Sequence, residues 1–382
     1  MTADPHASSN GPTGSTHGLS NPQSGGQPET PPHVRGLLSH IDAGETLAED
    51  DAHALFSALL SGQLAQAQIE HLLTTLHQRR PTVDEIVGAA RVMRANVTPI
   101  PLSDAEREHV IDTCGTGGAP KAFNVSTAAA IVAASAARAA GKPLLVAKHG
   151  NRSRTGRGSA EILAALGVNV DATPEVQSRC LRDVGVCFCF AIHHHPAMRF
   201  AGPARRALPH PTIFNALGPM TNPAAARRQL IGVYDPRLGP EIAAALARLG
   251  ARRAMVAHSA DGLDELSVTA AAELSLVRDG GVSHEMLDAT TLGLPRRTLA
   301  DIQARDLDDA AAIFRAVLDP ACASNARLDA CRDMVALNAA AALMVADAAD
   351  SWPTALALCQ AALRSGAASR TLAALAECSR KT

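Results

Sequence analysis

Residues 110–127 read VIDTCGTGGAPKAFNVST. The apolar, β-branched start, 110–113, predicts a strand. The glycines of Gly115-Thr-Gly-Gly118 predict a loop over 114–123, and Asn124-Val-Ser-Thr127 opens a helix that begins near Ser126. A strand handing over to a helix through glycines lets backbone N–H groups approach an anion, and the helix N-terminus adds roughly half a positive charge. The stretch lacks both the Gly-Lys-Ser/Thr ending of an ATP-type P-loop and the Gly-x-Gly-x-x-Gly spacing of a dinucleotide fold. A tight turn with no ligand would use the same glycines, so the rest of the chain has to decide.

The pattern repeats downstream. A strand at 144–147, a polar loop at 148–158 and a helix at 159–166 follow, and the loop, KHGNRSRTGRG, carries Lys148, Arg152, Arg154 and Arg157. Further strands at 186–190, 230–233 and 254–257 alternate with helical stretches, the rhythm of a mainly parallel sheet. Two such loops at the carboxyl ends of adjacent strands make one anion site, where α/β folds bind ligands. The ligand this favours is a small, multiply phosphorylated molecule. Upstream, Leu55, Leu59 and Leu60, then Ile69, Leu72, Leu73 and Leu76, then Val83, Ile86 and Val87 recur at helical spacing. The expected fold class is therefore α/β: a small helical domain, 33–105, plus a large α/β domain, 106–382, with C-terminal helices and a mainly parallel sheet flanked by helices. The segment 211–223, PTIFNALGPMTNP, fits neither rhythm and suits a crossover or hinge; over 207–225 it is expected to join the helical domain.

At about 150 residues per domain, the 382 residues make two domains that need no disulfide or metal staple. Hydrophobic residues are 47% of the chain but aromatics only 2%, so the core must be built from Ala, Leu, Val and Ile. That scarcity speaks against single-strand nucleic-acid platforms, which stack bases on rings. The net charge of −2 gives no field to draw the chain to DNA or an anionic membrane. No apolar run reaches the roughly 18 residues of a membrane span. Residues 1–32, rich in Ser, Gly, Pro and Asn, lack the hydrophobic region of a secretory signal and read as a disordered tail. The eight cysteines form no Cys-x-x-Cys pair, and Cys187 and Cys189 share one strand face as small buried thiols of a cytoplasmic protein.

Two further strings carry chemistry. In 261–267, DGLDELS, Asp264 and Glu265 stand side by side, the hard oxygen ligands that Mg²⁺ prefers beside phosphates. In 190–198, FAIHHHPAM, three histidines in a row cannot all face one ion, so zinc is not favoured. One imidazole here and Arg205, in the expected helix that follows, instead suit an aromatic carboxylate, which a guanidinium grips through two parallel hydrogen bonds.

Taken together, GTGG followed by NVST, KHGNRS, FAIHHHPAM, TIFNALGPMTNP and DGLDELS occur in the order found in the anthranilate phosphoribosyltransferases, and VALNAAAALMVA at 335–346 matches a helix of that family. The chain resembles these tryptophan-pathway members of the nucleoside-phosphorylase-like phosphoribosyltransferases from about Gly36 to near Lys381. The resemblance implies transfer of a phosphoribosyl group from phosphoribosyl pyrophosphate to anthranilate. It places the pyrophosphate substrate on Gly115, Gly118, Ala119, Asn124, Val125, Ser126, Thr127, Lys148, Arg152 and Ser159. It places anthranilate on Gly115, His149, Asn151, His195 and Arg205, and Mg²⁺ on Ser126, Asp264 and Glu265. It also implies a homodimer formed through the N-terminal helices, where the leucine faces between Leu55 and Leu76 are apolar enough to allow one. The anthranilate amine is already a neutral nucleophile at pH 7, so no dominant catalytic acid or base is expected.

The chain departs from the commonest family pattern in both loops. Ala119 and Ala122 stand where many members have Asp and a Ser or Thr, and each loop is one residue shorter. Arg154, Thr155 and Arg157 occupy positions often held by small hydroxyl residues. Lys121 and the extra arginines are expected to compensate through direct phosphate contact, lessening dependence on a second Mg²⁺. Two alternatives stand beside this reading: a pyrimidine nucleoside phosphorylase-like enzyme of the same fold, and a non-catalytic nucleic-acid-binding relative.

Overall fold

The computed structural model describes residues 30–119, 122–153 and 156–381. The expected tail falls outside them as far as residue 29, while Thr30 is buried, its hydroxyl donating to Gln68 Oε1 at 2.9 Å, and Pro32 opens the first helix. Four helices come first: α1 (Pro32–Asp42), α2 (Glu49–Leu60), α3 (Gln66–Arg79) and α4 (Val83–Ala95). The start of α4 shows why the chain folds locally as it does. Thr82 and Glu85 bond each other's backbone N–H, at 3.3 and 2.7 Å, closing a capping box. The buried Glu85 carboxylate also takes Arg79 at 2.6 Å and the Leu47 N–H at 3.0 Å, so it enters the core fully partnered.

A seven-stranded sheet follows: β1 (Val110–Gly115), β2 (Leu145–Gly150), β3 (Val186–Phe190), β4 (Arg228–Gly232), β5 (Arg253–Ser259), β6 (Ala272–Arg278) and β7 (Gly281–Leu287), in the order β3-β2-β1-β4-β5-β6-β7. β1 to β5 pair in parallel, while β6 and β7 are antiparallel. The architecture is thus the expected one, a helical layer plus an α/β domain with a mostly parallel sheet between helices. Three local expectations change. β1 and β2 each run further than expected, so Lys148 and His149 stand on a strand and not in a loop. β6 and β7 had no counterpart in the sequence reading, because β7, GVSHEML, is exposed along six of its seven residues and has no apolar alternation to detect. The 211–223 segment holds a short helix, Ile213–Leu217, and a 3₁₀ turn, Gly218–Met220.

Alanine does much of the packing that aromatics would do elsewhere. The helices Val125–Ala139 and Ala326–Val345 lie against each other through buried alanines on one face of the sheet. On the other face, the helices Met198–Ala207 and Ile213–Leu217 return to the helical layer, where Phe214 meets Phe56 edge-on with ring centroids 6.0 Å apart. Leu55, Leu59, Leu60, Leu72, Leu73 and Leu76 are all buried within the chain. They form this layer's own core and are not free to face a second copy. No helix among the described residues is long and apolar enough to cross a membrane.

α2 and α4 touch closely because Gly88 has no side chain. A Cβ there would lie 2.4 Å from the Glu49 carbonyl oxygen and 2.8 Å from the His53 nitrogen, both backbone atoms that cannot rotate away. Gly88→Ala is expected to destabilise the protein by about 1–3 kcal/mol despite alanine's better helix propensity. Urea denaturation checks this; a variant as stable as the parent would contradict the contact.

Candidate active site

The strand order reverses at β1, which has β2 on one side and β4 on the other. The crevice outside the carboxyl ends at such a reversal is where open α/β sheets bind ligands. Here it is lined by glycine for a physical reason. A Cβ on Gly232, the last residue of β4, would fall 1.5 Å from the Asp264 carbonyl oxygen. One on Gly115, the last residue of β1, would fall 2.7 Å from Asp264 Oδ2. The turn carrying Asp264 and Glu265 is therefore seated against the strand ends, at the start of the glycine loop. Gly117 and Gly118 then take φ of 64° and 97°, left-handed values that other residues adopt only under strain.

The 261–267 turn is rigidly held. Asp261 accepts from the Leu263 N–H at 3.1 Å and from the Ser267 hydroxyl at 2.6 Å, and Ser259 Oγ donates to the Glu265 carbonyl at 2.6 Å. From the long helix Ala326–Val345, Asn338 accepts from the Leu266 N–H at 3.1 Å and donates to its carbonyl at 2.8 Å. A cavity of about 10 Å³, room for a single water-sized guest, lies between Ser126, Thr113, Asp264, Glu265 and Asn338. Glu265 Oε2 is shut off from solvent with no hydrogen-bond partner. Burial, and then the neighbouring Asp264 charge, holds the Glu265 carboxyl well above the usual carboxylate range. Two adjacent acids with an unsatisfied oxygen beside a hydroxyl suit a hard divalent cation whose remaining ligands are water and phosphate. Among the described residues no group of three or more His, Cys, Asp or Glu could hold a metal by itself.

Lys148 is buried on β2, its ammonium donating to the Thr113 carbonyl at 2.6 Å and to Ser126 Oγ at 3.2 Å. Burial pulls its pKa down, against the opposing pull of Asp112. Asp112, wholly buried, accepts the His149 N–H at 3.0 Å. The three histidines of 193–195 splay apart. His193 pairs with Asp171 at 2.7 Å, and His194 bonds the Thr98 carbonyl and Gln177. His195 meets His149 with Nε2 atoms 3.2 Å apart, and His149 Nδ1 lies 3.2 Å from the Gly218 carbonyl. That carbonyl can only accept, so Nδ1 of His149 carries its proton and His195 Nε2–H donates to His149 Nε2.

The other predicted residues fall around this centre. Val125 and Thr127 are buried, their N–H groups donating to the Phe123 and Asn124 carbonyls. Asn124 Nδ2 donates to the Arg157 carbonyl at 3.1 Å. Ser159 opens the helix Ser159–Ala165 beside the end of β2, where a Cβ on Gly150 would meet its hydroxyl at 2.2 Å. Asn151 and Arg152 are exposed, with the Arg152 guanidinium 5.7 Å from the Phe190 ring centre. Ala119 is half-buried, and Arg205 lies over the Phe214 ring at 5.2 Å. The Arg157 guanidinium donates to the Ala304 carbonyl. Lys121, Arg154 and Thr155 lie outside the described residues.

Residues 107–369 match the glycosyl transferase family, a/b domain, and residues 35–97 its helical bundle domain. The chain is 44% identical to anthranilate phosphoribosyltransferase of Moorella thermoacetica over 90% of this chain and 97% of that protein. The chain belongs to the anthranilate phosphoribosyltransferase family. The crystal structure of the Thermus thermophilus enzyme superposes with a TM-score of 0.81 at 34% identity, covering 90% of this chain and 99% of that one. The Saccharomyces cerevisiae anthranilate phosphoribosyltransferase in complex with PRPP and Mg shares the fold, with a TM-score of 0.78 at 23% identity over 91% and 99% of the two chains.

The sequence reading missed Asn338, Gly232 and Asp112, which the structure places around the crevice. Asn338 lies inside the string 335–346 that carried part of the resemblance, yet an Asn in an alanine-rich helix gives no sign that its amide braces a turn 72 residues away. Gly232 closes an ordinary apolar strand and has no glycine neighbours to draw notice.

Burial, reinforced by the neighbouring His194, pushes the His195 imidazole down to about 4 from its ordinary 6.5. Between these values the unfolded chain binds a proton that the folded chain refuses, so stability falls as the pH drops from about 6.5 toward 4. His195→Gln keeps an N–H donor and removes the titration. Its unfolding free energy should lose about 2 kcal/mol less than the parent's between pH 6.5 and 4.5. Equal losses in denaturant titrations at the two pH values would contradict the burial described.

Proposed function

We propose that the chain transfers the phosphoribosyl group of 5-phosphoribosyl 1-pyrophosphate to the amine of anthranilate, giving N-(5-phosphoribosyl)anthranilate and pyrophosphate, the second step of tryptophan biosynthesis from chorismate. The observation that carries the reading is the seating of Asp264 against Gly115 and Gly232, which brings an acidic pair, Ser126 and the glycine loop to one crevice. Relatives named for this activity, such as the Moorella thermoacetica enzyme, match nearly end to end.

Ser126, Asp264 and Glu265 would hold Mg²⁺, which when bound supplies positive charge for the departing pyrophosphate. The glycine loop 115–118 and the N-terminus of Val125–Ala139 present backbone dipoles to the phosphates. Lys148 adds a fixed ammonium behind Ser126, and Arg152 and Ser159 close the far side. On the acceptor side, Arg205 is held against Phe214 and would meet a carboxylate in the plane of its guanidinium, while Gly115, Asn151, His149 and His195 line the approach. Burial holds both imidazoles below their ordinary pKa, so they are neutral at pH 7, and the acceptor's charge is met by Arg205.

In the transfer the amine lone pair forms the N–C1 bond as the C1–O bond to pyrophosphate breaks. The electron pair leaves on the pyrophosphate oxygen, and the surplus amine proton passes to solvent. Holding two substrates in line supplies much of the rate, up to about 7–11 kcal/mol in favourable cases. The reading extends to a cytoplasmic homodimer. With the leucines between Leu55 and Leu76 buried in the chain, a second copy would meet other side chains of the N-terminal helices.

Anthranilate fluorescence should fall when the protein is given phosphoribosyl pyrophosphate and Mg²⁺, and should hold when Mg²⁺ is chelated. Uridine or thymidine with phosphate should give no cleavage; phosphorolysis there and no fluorescence change would overturn the proposal. Arg205→Ala should raise the anthranilate KM about 10- to 100-fold, the worth of a charge-assisted hydrogen-bond pair, with kcat within about 3-fold. A loss confined to kcat would contradict the assigned role.

A further inference from the structure

Arg157 carries its guanidinium to a backbone carbonyl. Nη1 donates to the Ala304 oxygen, in the segment between the helices Leu299–Ile302 and Leu307–Leu318. Its own backbone is engaged at both ends. The N–H donates to Ser153 Oγ at 2.9 Å, and the carbonyl accepts from Asn124 Nδ2 at 3.1 Å. Ala304 is bonded twice as well, since its N–H donates to the Ala122 carbonyl at 3.1 Å. The glycine loop, the basic loop and a third segment thus form a closed circuit: Ala122 to Ala304, Ala304 to Arg157, Arg157 to Asn124.

The third segment is a firm support. Arg327 donates to the Gln303 carbonyl at 2.7 Å and to Asp309 at 2.9 Å, and the Arg305 N–H donates to the same carboxylate oxygen at 3.0 Å. Hydrogen bonds from the two arginines hold the Asp309 carboxyl far below its usual range, so the brace stays charged at any working pH. A clasp anchored there ties both phosphate loops together before any ligand arrives, and order already present in a binding loop does not have to be drawn from the binding energy.

We infer that Arg157 is a positioning residue that clasps the two phosphate loops to the segment around Ala304 and so preorganises the phosphoribosyl pyrophosphate site. This inference rests on the proposed function for its ligand, though the clasp itself does not. It replaces the expectation that Arg157 acts by direct phosphate contact. Because Asn124 is committed to the Arg157 carbonyl, the clasp also fixes the N-cap of the helix Val125–Ala139 relative to the basic loop.

The test uses the full-length protein with Arg157→Ala and Arg157→Lys. Without any substrate, hydrogen exchange at the Ala304 amide should be at least about 5-fold faster in Arg157→Ala, because the bond that holds its segment to the loops is gone. The KM for phosphoribosyl pyrophosphate should rise about 10-fold, the usual worth of a hydrogen bond to a charged group, while the anthranilate KM and kcat stay within about 2-fold. Arg157→Lys, which keeps a donor, should recover part of both effects. Exchange in the unliganded Arg157→Ala protein equal to the parent's overturns the inference, since an arginine acting only on phosphate leaves the empty protein unchanged. Faster exchange with an unaltered KM overturns it too. A parent protein with no transfer activity would instead sink the functional reading, and the exchange result would still decide the clasp.

Discussion

The structure depends on one close approach: the backbone of Asp264 lies where a side chain on Gly232 would have to be. Nothing larger than hydrogen fits at the end of β4, and little more at the end of β1. Because the approach at Gly232 is backbone to backbone, no rotamer change can relieve a substitution at that position. The consequence is that two carboxylates are driven in beside Ser126 and the mouth of the glycine loop, a place where the sheet alone would offer only glycine and helix dipole. The crevice becomes a site with both signs of charge, donors for phosphate oxygens and acceptors for a cation.

Such crowding is costly electrostatically, and the surrounding residues show how the cost is met. Glu265 is pushed toward its neutral form by burial and by Asp264, and Lys148 toward its neutral form by burial. The two shifts have opposite sign because the groups have opposite charge, and each is partly offset by the presence of the other. Asp112, buried beneath them, is raised in the same sense by desolvation and lowered by Lys148. Buried ionisable groups that shift one another belong in functional sites more often than in cores, where apolar residues would pack as well. The bracing from Asn338, Ser259 and Asp261 keeps this arrangement from relaxing outward into solvent.

How much of this could be read in the sequence follows from how local each signal is. The glycine loop, Ser126 and the Asp264–Glu265 pair are short strings that could be picked out locally, and the structure brings them to one crevice. The expectation that three consecutive histidines cannot all face one point matches their separate partners, Asp171, Gln177 and His149. Lys148 and His149 were misplaced because polar residues at the end of a strand look like the start of a loop. β7 escaped because an exposed edge strand need not alternate. Asn338 and Gly232 escaped because their roles exist only between elements distant in sequence. Arg157 is the instructive case: its charge pointed to phosphate, yet what decides its role is where a carbonyl 147 residues downstream happens to lie.

The scarcity of aromatics acquires a specific meaning in the acceptor half of the site. With 2% aromatic residues, the chain has few ring faces to spare for an aromatic substrate. It uses Phe214 to join the helical layer through Phe56 and to support the Arg205 guanidinium from below. The same ring therefore couples the packing between the helical layer and the crossover segment to the orientation of Arg205, the residue proposed to meet the acceptor's carboxylate. Asn215, the next residue, donates to the Thr116 carbonyl at 3.0 Å, inside the glycine loop. One short helix, Ile213–Leu217, thus touches Arg205 and the glycine loop at once. A displacement of the helical layer would be felt at Arg205 and at the glycine loop together, which makes their relative position a property of the helical packing as much as of the sheet.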